Sequence, residues 1–150
     1  MFFDSHAHYD DERFDADRAE LLNSFKQNGI DYVVNIGTNL ETAQKCLELS
    51  EKYDFIYCAL GFYPEDVGTI SEDDILKLED LCKSSKRVVA IGEIGLDYHY
   101  EGPTKEKQRY WFERQCELAK KLDKPVIIHD REAHEECFDM VKKHGNRGVF

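Results

Sequence analysis

The chain has 150 residues, 41% of them apolar and 34% charged. That is enough for one domain with a real core, and it excludes both a disordered chain and a miniprotein held by disulfides. The 20 Lys and Arg against 31 Asp and Glu give a formal charge of -11, which excludes a broad basic groove for nucleic acid and leaves room for a small local anion site. No apolar run approaches the roughly 20 residues of a membrane span, and the N-terminus lacks the basic and apolar regions of a signal peptide. The expectation is a soluble, cytoplasmic protein with no membrane partner.

Strand-like runs alternate with stretches of helical period. Met1 to His6 opens as a strand, and Leu21, Leu22 and Phe25 follow at helical spacing, closed by Gly29 where a left-handed cap belongs. Tyr32 to Gly37 reads as the second strand, with Ala43, Cys46, Leu47 and Ser50 as one face of the helix after it. Phe55 to Gly61 is the third. In the helix beyond it, Ile75, Leu78 and Cys82 share a face, and Ser71 and Asp74 have capping-box spacing. Val88 to Glu93 is followed by a helix that Thr104 can cap, with Phe112, Cys116 and Ala119 inward. Pro125 to His129 is the fifth strand. His134, Cys137, Phe138 and Val141 mark one face of a fifth helix that ends at Gly145, and Gly148 to Phe150 begins a sixth strand. The strand runs are mostly too apolar for a solvated face, as in parallel sheets covered on both sides. The five cysteines are odd in number, form no C-x-x-C pair and, in the helices, fall at apolar positions, so they read as buried thiols. Five such βα units fit a doubly wound open sheet or part of a β/α barrel.

The chemistry lies at the strand ends. His6 and His8 are two residues apart on a strand and should point to one side, where one ion could bind both. Alone the pair is weak, because composition predicts about 0.24 such H-x-H pairs in a chain of this length. Glu93 and His129 occupy the same end of two other apolar strands, where an ionisable group is costly to desolvate without a partner or metal. The set is therefore three imidazoles and one carboxylate at the C-terminal ends of strands, where α/β folds place their sites. In an open sheet of order 2-1-3-4-5 the fifth strand would lie roughly 14 Å from the first. A closed barrel aims all its strand tips at one axis, so the expected fold is the (β/α)8 TIM barrel.

These segments resemble a known family. Asp4-Ser5-His6-Ala7-His8, Asn35-Ile36-Gly37-Thr38, Ala90 to Tyr98 and Pro125 to Arg131 match, in order and spacing, the TatD-type metal-dependent hydrolases, relatives of the amidohydrolase β/α barrels. The resemblance runs from Met1 to Phe150. It implies a divalent-metal phosphodiesterase, typically a deoxyribonuclease with a two-metal centre. His6 and His8 would hold one ion, Glu93 would bridge both as the catalytic carboxylate, and His129 would hold the second. Zn or Mn suits such mixed ligands better than Mg. Arg131 is the expected phosphate contact, and Asp4 and Asp97 are expected to orient the histidines. The substrate would be DNA ends or a small phosphodiester, and two ions would offset the acidity locally.

Two departures stand out. The family usually shows G-x-H-P-H after the third strand, whereas this chain reads Gly61-Phe62-Tyr63-Pro64-Glu65. Tyr63 can donate a hydrogen bond to substrate, but Glu65 would repel a phosphate. That difference keeps an ester, lactone or amide hydrolase of amidohydrolase type as the alternative. The second departure is length, since the family barrel runs to about 250 residues. Residues 1–150 therefore read as the N-terminal part of a single barrel domain, the first five βα units and the start of strand six. The resemblance implies a further histidine directly after Phe150 and an aspartate about fifty residues later, within the length of such a barrel. By itself such a piece should leave strand edges exposed, bind metal weakly and hydrolyse little, a catalytically silent metal-binding fragment.

Overall fold

The computed structural model describes residues 1–149. The strands form one parallel sheet in sequence order: β1 (Phe2–Ala7), β2 (Ile30–Gly37), β3 (Ile56–Leu60), β4 (Val88–Asp97), β5 (Val126–Arg131) and β6 (Gly148–Val149). Sequential order without reversal is what a curling barrel wall requires, and it rules out the reversed order of a doubly wound sheet. The helices are α1 (Arg18–Ser24), α2 (Leu40–Lys52), α3 (Glu72–Ser84), α4 (Lys105–Lys121) and α5 (His134–His144). The sixth strand begins where expected, and Phe150 lies outside the described residues. No helix among the described residues is long and apolar enough to cross a membrane.

Local signals in the sequence set most element ends. Asp74 accepts from the backbone and hydroxyl of Ser71 at 3.0 and 2.8 Å, and Thr104 Oγ1 accepts from Lys107 N, so α3 and α4 begin at their capping residues. Gly29 and Gly145 take positive φ of 79° and 64° at the ends of their helical segments, the left-handed conformation that glycine adopts without a Cβ penalty.

Packing divides the apolar residues into layers. Outward strand residues such as Cys58, Leu60, Ile91 and Ile94 meet Cys46, Leu78, Phe112 and Cys137 of the helices in the main core. Val34, Ile36, Ala59, Ala90 and Ile127 form a separate cluster made only of strand residues, on the concave face. All five cysteines are free and buried, in line with the expectation. Phe2 and Phe3 on the edge strand are exposed.

Two sequence expectations need correction. Strand four runs on past Glu93 to Asp97, because Gly95, Leu96 and Asp97 pair with His129, Asp130 and Arg131. Gly92 and Gly95 hide that continuation in the sequence, since glycine carries neither apolar pattern nor strand propensity. In α5 the buried residue is Cys137, with Met140 and Val141 packed beside it, while His134 and Phe138 are exposed. Positions 137, 140 and 141 keep helical spacing, so the buried stripe is turned away from the one anticipated. In α4, Tyr110 points outward and donates to Glu72 at 2.7 Å, whereas its neighbours Trp111 and Phe112 are buried.

Candidate metal centre

Three strands bring the four expected ligands together. His6 stands near the end of β1 with His8 just beyond it, Glu93 lies midway along β4, and His129 is in β5. The Gly92–Glu93 peptide is cis. Glu93 Oε2 lies 3.2 Å from His6 Nε2 and 4.0 Å from His8 Nε2. The second oxygen, Oε1, lies 3.2 Å from His129 Nδ1. The carboxylate thus turns one oxygen to the β1 histidines and the other to β5. His6, His8 and Glu93 each offer one ligand atom, all within 4.8 Å of one another. Metal-ligand bonds of about 2.0 to 2.2 Å for His N and carboxylate O can be met from such a spacing, so this donor set fits a divalent ion.

Hydrogen bonds outside the ligand set orient two of the rings. His8 Nδ1 lies 3.1 Å from the Ile36 carbonyl, so its proton sits on Nδ1 and the Nε2 lone pair faces Glu93. His129 Nε2 lies 2.8 Å from Asp97 Oδ2 and 3.1 Å from the Tyr63 hydroxyl. With the Nε2 proton held by Asp97, Nδ1 is the nitrogen turned to Glu93. Asp97 is itself fastened, its Oδ1 accepting from the backbone of His99 and Tyr100. Asp4 accepts from the His6 backbone N–H and from the Tyr9 hydroxyl, each at 3.2 Å. It therefore grips the main chain of His6, and among the described residues it makes no hydrogen bond to an imidazole.

The electrostatics follow from these contacts. The hydrogen bond to Glu93 raises the pKa of His6 against the opposing effect of burial. Burial alone would raise Glu93, but His129 and His6 outweigh it and hold the carboxyl down to about 2. Burial lowers His129, and hydrogen bonds to Glu93 and Asp97 more than compensate, so its net shift is upward. Tyr63 is pushed well above the usual phenol range by burial and by the charges of Glu93, Asp97 and Glu65, so it is a hydrogen-bond donor at neutral pH.

Tyr63, His6, His8 and Glu93 line an open cleft of about 850 Å³ together with Asp10, Asp11, Glu12, Arg13, Thr38, Thr42 and Lys45. Arg131 lies outside that lining. Its guanidinium stacks on the Tyr100 ring at 4.5 Å and donates to the Tyr100 hydroxyl at 3.0 Å, so the expected phosphate contact is turned to a rim aromatic. The cations within the lining are Arg13 and Lys45, which the sequence reading passed over. Each is paired with a carboxylate, Asp11 and Glu41 respectively, and lone charged residues on helical or loop segments gave no signal of a shared cleft.

Comparison with known proteins identifies the family. A family model described as "TatD related DNase" matches residues 3–150. An uncharacterized metal-dependent hydrolase, YabD of Bacillus subtilis, is 38% identical over 99% of this chain and 58% of its own length. A protein named 3'-5' ssDNA/RNA exonuclease TatD from Edwardsiella piscicida is 36% identical over 87% of this chain and 50% of its own. The crystal structure of the TatD homologue YjjV from Escherichia coli superposes with a TM-score of 0.88 at 33% identity, covering 95% of this chain and 56% of that one. The chain spans about half the length of the curated relatives it matches. With that family model spanning residues 3–150 and a parallel half-barrel wall that superposes on a TatD homologue, the chain belongs to the TatD related DNase family.

Proposed function

We propose that the protein to which this chain corresponds is a divalent-metal-dependent phosphodiester hydrolase acting on DNA ends or small phosphodiesters, with a two-metal centre on an eight-stranded barrel. Five βα units and the start of strand six come from the residues in hand. The observation that carries the reading is the divided carboxylate of Glu93, with one oxygen toward His6 and His8 and the other toward His129. Residues with that division suit one ion on each side. When bound, divalent ions supply the charge that polarises a phosphate ester and acidifies water.

The remaining work falls to the chain's own groups. Ile36 O holds the His8 proton on Nδ1, and Asp97 holds the His129 proton on Nε2, so each ring presents the other nitrogen to the site. Tyr63, with its oxygen next to His129 Nε2, is free to give its own proton in a hydrogen bond to a substrate oxygen in the cleft. Zn or Mn is the expected ion, with Mg supporting turnover less tightly.

A second reading, hydrolysis of a small ester, lactone or amide, draws on Tyr63 and on a cleft whose lining holds four carboxylates against two cations. The test is a panel of a phosphodiester, a lactone and an amide with added Mg2+, Mn2+ or Zn2+. It is run on residues 1–150 and on a chain extended to the length of its relatives. Metal-dependent phosphodiester cleavage by the extended chain, abolished by Glu93→Gln, is the expected result. Cleavage of the lactone or amide without phosphodiester activity would overturn the first reading.

A further inference from the structure

We infer that Asn35 and Arg18 are positioning residues for the His6–His8 end of β1, gripping the Tyr9–Asp11 segment directly beyond it from two sides so that the imidazoles stay aimed at Glu93. The inference rests on the metal-site reading above. It begins with a weakness in the sheet: β1 advances from Asp4 to Ala7 while β2 advances only from Val33 to Asn35, a register shift at the edge of the sheet. A bulged edge strand loses ladder bonds where it slips, so the segment that presents both histidines needs support from elsewhere.

Asn35 supplies one side. Its side chain is fully buried, and Oδ1 accepts from Tyr9 N at 2.6 Å. Nδ2 donates to Asp10 Oδ1 at 2.7 Å and faces Cys46 Sγ at 2.9 Å. With an N–H facing one end and acceptors the other, only one amide orientation satisfies the group. The next residue along, Ile36, holds His8 Nδ1 through its carbonyl. Two adjacent residues of β2 thereby fasten three consecutive residues, His8, Tyr9 and Asp10. A buried amide is costly unless every polar atom is used, and here its use is spent on the exit of β1.

Arg18, at the start of α1, supplies the other side. Nε donates to Tyr9 O at 2.6 Å, and Nη2 donates to Asp11 O at 2.7 Å and to Asp10 O at 3.2 Å. Three successive carbonyls are collected by one planar fork, which a lysine ammonium on a flexible stem cannot reproduce. Both residues act on the histidines through the backbone.

The experiment begins with the metal-free protein, extended to the length of its relatives, as Asn35→Ala, Arg18→Lys, His6→Ala and, as a stability control from the outer core, Leu78→Val. Long-range 1H–15N spectra report which nitrogen of His8 carries the proton, and amide exchange reports on Tyr9 to Asp11. Mn2+ and Zn2+ titrations follow. Asn35→Ala should mix the His8 tautomers, and both positioning variants should speed exchange across the segment by about fivefold or more, the loss of a hydrogen bond or two. Metal affinity should drop about 10- to 100-fold, as for other residues that orient ligands. Arg18→Lys keeps the charge and lies at a helix start, so it remains informative if Asn35→Ala fails to fold. Leu78→Val should lower the melting temperature without moving exchange, tautomer or affinity. The inference is overturned if His6→Ala weakens metal binding while both positioning variants keep the parent's tautomer, exchange and affinity. If His6→Ala leaves metal binding unchanged, the metal-site reading fails and the positioning role fails with it.

Discussion

Gly95→Ala should disable both the fold and the site, and the size of the effect can be worked from the geometry. Gly95 sits in β4 opposite His129 of β5, with φ at +147°, a conformation that side-chain-bearing residues reach only with strain of about 1 to 3 kcal/mol. A Cβ built there would stand 2.0 Å from His129 O. The obstruction is a backbone carbonyl in a central strand pair, so relief requires β4 and β5 to part where His129 is held. Parting them weakens at least one or two ladder hydrogen bonds, each contributing about 0.5 to 1.5 kcal/mol net. Together the two effects give a loss of about 3 kcal/mol or more, which in a chain of this size lowers the melting temperature by about 6 to 12 °C. Thermal unfolding followed by circular dichroism measures it, with Gly102→Ala as the control because a Cβ there meets nothing within 4 Å. Metal titration of the folded variant should also show weakened binding, since His129 moves with its carbonyl. A Gly95→Ala protein that melts within about 1 °C of the parent, as the Gly102 control should, would refute the reasoning, because it would mean the strands accommodate the methyl without the predicted strain.

Other outcomes follow from the same contacts. Glu93→Ala should weaken metal binding more than His129→Ala, since Glu93 faces both sets of histidines; calorimetric titration with Mn2+ and Zn2+ measures the difference, and equal losses would contradict the divided-carboxylate geometry. Apparent metal affinity should climb as pH rises through the region above 6.5, because the raised pKa of His6 means an ion must displace a proton below it; a titration series from pH 5.5 to pH 8.5, roughly spanning histidine ionisation, checks the direction. Burial pushes the Cys58 thiol up to about 11 and those of Cys82, Cys116 and Cys137 up to about 12. Native thiols should therefore resist Ellman's reagent at about pH 8 and all react in denaturant. Because these pKa values are raised above the unfolded value of 9.0, their contribution to stability is complete below pH 9.0 and falls as pH rises toward the folded values, so urea midpoints should decline in that alkaline window.

Much of this protein was legible in the residue order alone. The alternation of apolar strands with helical stripes, the caps at Ser71, Thr104, Gly29 and Gly145, and the inward cysteines are consequences of local hydrogen bonding and periodicity, which act over a few residues and leave their mark in neighbouring letters. His6, His8, Glu93 and His129 could be picked out for a related reason: an ionisable group at the end of an apolar run has few stable explanations. Tertiary structure decided what depends on partners far along the chain. Tyr63 reaches His129 across 66 residues, Asp97 reaches it across 32, and Asn35 reaches Asp10 across 25. None of those pairings has a period or a spacing. The same holds for the course of β4 past its glycines, which only the ladder to β5 makes visible, and for Arg131, whose long side chain settles on Tyr100 and leaves the cleft. Which residues could be ligands was thus a matter of sequence, because ionisable side chains recur at the same end of successive apolar runs. Which nitrogen each ring turns inward was a matter of tertiary structure, because a tautomer is set by whatever acceptor the fold places behind the ring.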